Sequence, residues 1–317
     1  MMKKILLMVL LLFLVAGCAK EKEEPYGKGI EGLSMRFLDG MPADNLWAGS
    51  EFAIGVVLSN EGFSDIEEGY VSPRGFSESY IFGISPVAMP VLGGRSVINP
   101  DGGRETVVFN GQITGLDDVV SDYIEQPIII TSCYIYRTLA APNVCLSANL
   151  YNTEEDACRV EDVVMESQGA PVVVNKVGEE MSLKGDLVEF YFTLHFKHEG
   201  DGSVIKQQLV NPECSAIGSD VEVPSYQQLN RIYIEDITLN GRNDYERLDP
   251  IKGLTGVEYE KVVLLNRDGE GLATIKFVFS KNEINIPFKT PLNIRLKYGY
   301  REHITKNVLI KKRIGVV

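Results

Sequence analysis

The chain has 317 residues, with 31 Lys and Arg against 44 Asp and Glu and a net charge of −13. That balance argues against a nucleic-acid partner and against electrostatic adhesion to an anionic bilayer. The length exceeds one small sandwich and suits two domains.

The opening MMKK is basic, and Ile5 to Gly17 is a continuous apolar run. At about half to two-thirds of the roughly 20 residues of a spanning helix, the run is short for a membrane crossing. A basic start, a short apolar centre and small residues ahead of a cut site describe a secretory signal, so residues 1–17 are set apart from the fold. Val15-Ala16-Gly17 before Cys18 resembles a lipobox, the recognition sequence of bacterial and many archaeal lipoproteins. The resemblance implies cleavage ahead of Cys18 and lipid attachment to its sulfur; two acyl chains suffice for stable anchoring. An uncleaved anchor and an ordinary secretory signal compete with this reading. All three place the body of the chain outside the cytoplasm, and the lipobox reading makes it a membrane-anchored protein of the cell surface.

Residues 18–29 are polar and charged, with Pro25 and two glycines, and read as a lipidated tether. Beyond them the dominant pattern has period two. In EFAIGVVLSNEG, Phe52, Ile54, Val56 and Leu58 point one way, and Asn60-Glu61-Gly62 supplies a turn. LSMRFL at 33–38, SYIFGI at 79–84, ETVVF at 105–109 and QPIIITSCYIYR at 126–137 read as further strands, the last in a central position. Gly and Pro clusters at 40–42, 73–75, 93–94 and 100–103 punctuate them, as in an all-β sandwich.

The stretch Pro42–Gly62 and the later turn NPDGG at 99–103 resemble immunoglobulin-like domains of the CARDB type, spacer and adhesive modules of surface and secreted proteins. The resemblance covers residues 30–140 and implies an immunoglobulin-like sandwich there. The whole layout is similar to membrane-anchored surface proteins of archaea.

Residues 141–169 read as a cysteine-containing connector, with a capping-box helix start at Thr153 to Asp156. Residues 170–317 read as a second β-sandwich. LVEFYFTLHFKH at 187–198 sets Val188, Phe190, Phe192, Leu194 and Phe196 on one face. RIYIEDITL at 231–239, VVLL at 262–265 and LATIKFVF at 272–279 follow. PLNIRLKYGY at 291–300 is predicted to form a hairpin with NVLIKK at 307–312 through YREHIT. The expected fold is therefore all-β, two immunoglobulin-like sandwiches in tandem.

Besides Cys18, four cysteines remain: Cys133, Cys145, Cys158 and Cys214. They contain no CxxC pair, which argues against zinc, and an exported chain by default oxidises them to two disulfides. Three pairings are open; the expected one joins Cys145 to Cys158 and Cys133 to Cys214, and a buried thiol is the competing outcome.

Other chemistry is sparse. His195 and His198 lie on a strand pattern, where residues three apart face opposite ways, so no shared metal is expected. His303, in the predicted hairpin connection, has no nucleophile motif beside it. GxSxG is absent. Asp117-Asp118 and Glu154 to Asp156 read as solvated acids, and Asp268 to Gly271 as an Asp-Gly hairpin turn rather than a calcium loop. Trp47 is expected to plug a sandwich end, and Tyr134, Tyr136, Tyr298 and Tyr300 to pack between strands. No catalytic residue, metal ligand or cofactor is expected. The function read from these features is structural, adhesive or protein-binding, without catalysis. The expected partners are the membrane through the lipid and other envelope or surface proteins. A solute-binding lipoprotein of a transporter is the alternative, with a surface hydrolase behind it.

Overall fold

The computed structural model describes residues 29–149, 158–212, 214, 229–249 and 261–313. Cys18, the signal, most of the tether and the Thr153–Asp156 helix start lie outside the described residues. Eighteen strands are named in chain order. The first half holds β1 (Leu33–Phe37), β2 (Asn45–Trp47), β3 (Glu51–Asn60), β4 (Gly69–Arg74), β5 (Ile81–Phe82), β6 (Val87–Ala88), β7 (Arg104–Ile113) and β8 (Tyr123–Ala140). Then come β9 (Asn143–Leu146), β10 (Val163–Val164), β11 (Val172–Lys184), β12 (Leu187–His198) and β13 (Ser203–Ile205). The last are β14 (Arg231–Leu239), β15 (Glu246–Arg247), β16 (Val262–Leu264), β17 (Glu270–Ser280) and β18 (Phe288–Lys311).

These strands form three sheets. A four-stranded sheet has the order β1-β3-β7-β5, and a five-stranded one β10-β11-β12-β17-β15. The third has nine strands, with the path β16-β14-β18-β8-β4-β6 and with β2, β9 and β13 also paired to β18. The fold is all-β, as the alternation implies.

The expected tandem arrangement is not how the strands pair. β18, from the second predicted domain, runs antiparallel to β8, from the first, through an unbroken register from Ile294↔Ala140 to Lys311↔Tyr123. The predicted hairpin at YREHIT is also absent. Residues 300–305 continue straight through β18, and His303 pairs with Thr131 of β8. The polar run that suggested a turn holds no proline or glycine between Arg301 and Lys312, so nothing in its backbone forces a reversal. SYIFGI contributes only the two residues of β5, whereas β12 and β14 span the predicted stretches.

Alternation places the core. Val188, Phe190, Phe192, Leu194 and Phe196 of β12 are buried, and so are Ala273, Ile275, Phe277 and Phe279 of β17. They belong to one contiguous cluster with Leu292, Ile294 and Leu296 of β18 and with Ile54, Val56 and Leu58 of β3. Burial of each large apolar side chain contributes roughly 1.5–3 kcal/mol. A bulge in β14 between Ile234 and Asp236 turns Glu235 outward, where its carboxylate lies 3.5 Å from Arg137 and 3.9 Å from Arg295.

Candidate functional site: a tyrosine seam between the halves

Tyr134 and Tyr136 stand two apart on β8, and Tyr298 and Tyr300 two apart on β18. The register pairs Tyr136 with Tyr298 and Tyr134 with Tyr300, so all four rings leave the same face of the large sheet. Ring centroids are 5.8 Å apart for Tyr134–Tyr136 and Tyr134–Tyr300, and 6.4 Å for Tyr136–Tyr298 and Tyr298–Tyr300. The first two pairs and Tyr298–Tyr300 meet edge to face, which aligns their quadrupoles favourably.

Each hydroxyl holds a different piece of chain. Tyr134 Oη accepts the Leu33 N–H of β1 at 3.0 Å and donates to Glu302 Oε1 at 3.0 Å. Tyr136 Oη accepts the Ser64 N–H at 3.3 Å and lies 3.4 Å from Asn60 Oδ1. Tyr298 Oη accepts the Val172 N–H of β11 at 3.3 Å and lies 3.1 Å from Thr138 Oγ1. Tyr300 Oη accepts the Gly202 N–H at 2.7 Å and meets His198 Nε2 at 3.1 Å. The first two phenols therefore secure the start of β1 and the segment that follows β3 in the four-stranded sheet. The last two secure the start of β11 and the turn after β12. Close approach here needs glycine: a Cβ on Gly32 would stand 2.8 Å from Tyr134 Oη, and one on Gly200 would overlap Tyr300 Oη.

Burial pushes all four phenols above their ordinary pKa, so none ionises near neutrality. Glu302 behaves differently. Its carboxyl is pushed up to about 8, chiefly by burial and further by the charges of Glu31 and Asp201, against the opposing hydrogen bond from Tyr134. Burial pulls the His198 imidazole below its usual value, with Asp201 opposing. A cavity of about 330 Å³ opens beside Glu302, lined also by Glu31, Gly32, Asp201 and Tyr300.

Glu179 of β11 is a second buried carboxyl. Both its oxygens lie 3.1 Å from the Cys145 N–H. Burial pushes it up to about 7 with help from the Glu161 charge, while the Cys145 hydrogen bond opposes the shift. Glu302 and Glu179 escaped the sequence reading, although one signal was present. Glu302 occupies the inward parity of β18, two residues after Tyr300, where the pattern calls for an apolar side chain.

The structure places the other candidates plainly. Cys133 is bonded to Cys214 and Cys145 to Cys158, the expected pairing. His195 and His198 fall on opposite faces of β12, with His198 against Tyr300. Among the described residues no group of three or more His, Cys, Asp or Glu is arranged to hold a metal ion. Asp268 and Gly269 lie in the turn that leads into β17, where Asn266 Oδ1 accepts the Asp268 and Glu270 N–H groups, both at 2.9 Å. Asp117 and Asp118 lie exposed in the loop after β7. Trp47 corrects an expectation: it is 47% exposed, because on β2 the neighbouring Leu46 takes the buried position.

No protein-family model matches the chain, and no curated protein matches it. Among solved structures, the chain is similar to a DUF4466 family protein from Parabacteroides merdae. The identity is 10%, with 87% of this chain and 100% of that one covered and a TM-score of 0.16. A likeness of that size carries no argument about fold or function.

Proposed function

We propose that the chain is a non-enzymatic, lipid-anchored protein of the cell surface with a structural, adhesive or protein-binding role. The observation that carries this reading is the cross-linked seam. β8 and β18 share one long ladder, and four tyrosine hydroxyls tie segments of both halves to it. Cys133–Cys214 adds a covalent tie to β8. Such a body holds its loops and edges at set positions, which suits the presentation of a surface. Two disulfides are compatible with an oxidising compartment, and LVAGC supports an anchor at Cys18. The immunoglobulin-like reading of residues 30–140 belongs to the same proposal; it is supported by the β1-β3-β7-β5 layer, which Tyr134 and Tyr136 bind to β8.

Mass spectrometry of the N-terminal peptide from native membranes tests the anchor. The expected result is a diacyl group on Cys18 as the first residue, with Cys18→Ser moving the protein out of the membrane fraction. Unchanged partition and mass in that variant would overturn the anchor. A hydrolase screen on the purified chain tests the absence of catalysis; turnover abolished by Glu302→Gln would sink that part.

A further inference from the structure

Ser96 and Asn99 close a tight turn on each other. The Ser96 N–H donates to Asn99 O at 3.0 Å and the Asn99 N–H to Ser96 O at 3.2 Å. The turn is braced from behind: Asn99 Nδ2 donates to Gly94 O at 3.3 Å, and the Gly94 N–H donates to Asp65 Oδ1 at 2.7 Å. Val97 and Ile98 stand at its tip, 72% and 95% exposed, with exposed Pro100 just beyond. Turn tips favour Gly, Asn, Asp and Ser, which accept tight backbone conformations or satisfy them with short polar side chains. Two β-branched aliphatic side chains at such a tip bury nothing and add nothing to the core.

Single apolar residues at a surface need no explanation; the place of this pair in the fold gives it one. The N-terminal segment reaches the body beside the turn. The Gly29 N–H donates to Ser167 Oγ and Gly29 O accepts the Gly169 N–H, both at 2.9 Å. The Glu61 N–H then donates to Gly32 O, and the Arg95 N–H to Gly62 O, both at 2.8 Å. Residues 29–32, Glu61-Gly62 and Arg95 therefore adjoin, and Ile98 lies three residues past Arg95. Ten residues lie between Cys18 and Gly29, a stretch that spans at most about 40 Å. Trp47 and Val120 are exposed too, but they belong to the Glu51 end of β3, where Trp47 O accepts the Ser50 N–H. The turn belongs to the Asn60 end, where the Asn60 N–H donates to Gly103 O, about 30 Å away along the strand.

We propose that the Val97–Ile98 tip is a second membrane contact, inserting into the interfacial layer of the bilayer that holds Cys18. The anchor keeps the tip within reach of lipid, so the modest gain from two aliphatic side chains acts at high effective concentration. A net charge of −13 makes the body a poor electrostatic match for an anionic bilayer, so the contact is apolar. Insertion sets the orientation of the body, with the Asn60 end of β3 toward the membrane and the Trp47 end away from it. The inference rests on the anchored part of the proposal above and adds how the anchored body sits.

The test uses the full-length chain purified from membranes and reconstituted in phosphatidylcholine vesicles with brominated acyl chains, which quench tryptophan at bilayer depth. Trp47 is the chain's only tryptophan, so the wild type reports on the far end and is expected to keep its emission. Combining Trp47→Phe with Ile98→Trp moves the reporter to the tip. That chain is expected to show blue-shifted, strongly quenched emission, at low and at high salt alike. Adding Val97→Asp is expected to restore most of the emission, because a charge at the tip opposes insertion. These substitutions fall on exposed positions, so the core is untouched. Lipid on Cys18 together with an unquenched tip would overturn the proposal and leave the anchor standing. So would quenching that survives Val97→Asp, equal quenching of Trp47, or a blue shift without quenching, which marks burial against protein. A chain that fails to float with the vesicles and carries no lipid on Cys18 would overturn the anchor and the tip contact together.

Discussion

Tyr134 and Glu302 are diagonal neighbours on β8 and β18, and the phenol donates to the carboxyl at 3.0 Å while accepting the Leu33 N–H at the same distance. One hydroxyl thus couples the start of β1 to an acid on the inward face of β18. Because Glu302 is pushed up to about 8, it carries its proton at neutral pH in the folded protein.

The sign of its pH effect follows from linkage. Between the ordinary carboxylate range and pH 8 the folded state holds a proton that the unfolded state has released, so stability falls as pH rises. Urea denaturation of the wild type is expected to show lower stability at pH 9 than at pH 6. Glu302→Gln keeps an acceptor for Tyr134 without a titrating proton, and is expected to flatten that decline. An unchanged slope in the variant would contradict the assignment.

Glu179 acts with the same sign in a lower window, because it is pushed up only to about 7. Its contribution is lost as pH rises from the ordinary carboxylate range through 7. Glu179→Gln retains an oxygen for the Cys145 N–H. Its thermal midpoint is expected to change less between pH 5 and pH 8 than that of the wild type, as calorimetry at the two pH values would measure.

The two disulfides close loops of very different length, 81 residues for Cys133–Cys214 and 13 for Cys145–Cys158. Chain-entropy arguments assign about 4.5 kcal/mol to the first loop and about 3 kcal/mol to the second. Paired Cys→Ser variants are expected to lose stability in that order, read by denaturant midpoints under non-reducing conditions.

Removing one phenol from the seam leaves a buried N–H without its acceptor. Tyr298→Phe strips Val172 of its partner and Tyr136→Phe does so for Ser64. Each is expected to cost about 1–3 kcal/mol. Tyr70→Phe, on the partly buried outer part of β4, is the control and is expected to change little. Equal losses in all three would show that the hydroxyls do not tie the seam.

Much of the strand inventory was legible because side-chain parity is local. Val188 to Phe196 alternate with polar residues, and they form the inner face of β12. The tyrosine cluster was legible for the same reason, since Tyr134 and Tyr136, like Tyr298 and Tyr300, share parity within their strands. Partner choice was not. PLNIRLKYGY and NVLIKK each look like half of a hairpin, yet β8 lies alongside both. Of the polar residues between them, His303 and Thr305 lie exposed on the outer side of β18 while Glu302 points inward at the seam, and none of them reverses the chain. Trp47 shows the same limit: whether it or Leu46 faces the core depends on how β2 docks beside β18.

Composition and alternation were enough to specify an acidic all-β body, and LVAGC ahead of it set up the expectation of an anchor. Cysteine count and spacing led to two bridges. What only the tertiary structure decided is which strands meet, that one sheet serves both halves, and that burial lifts Glu302 and Glu179 well above the ordinary carboxylate range. Parity is a property of consecutive residues, whereas pairing, burial and the field around a carboxyl depend on segments that are distant in the chain and meet only on folding.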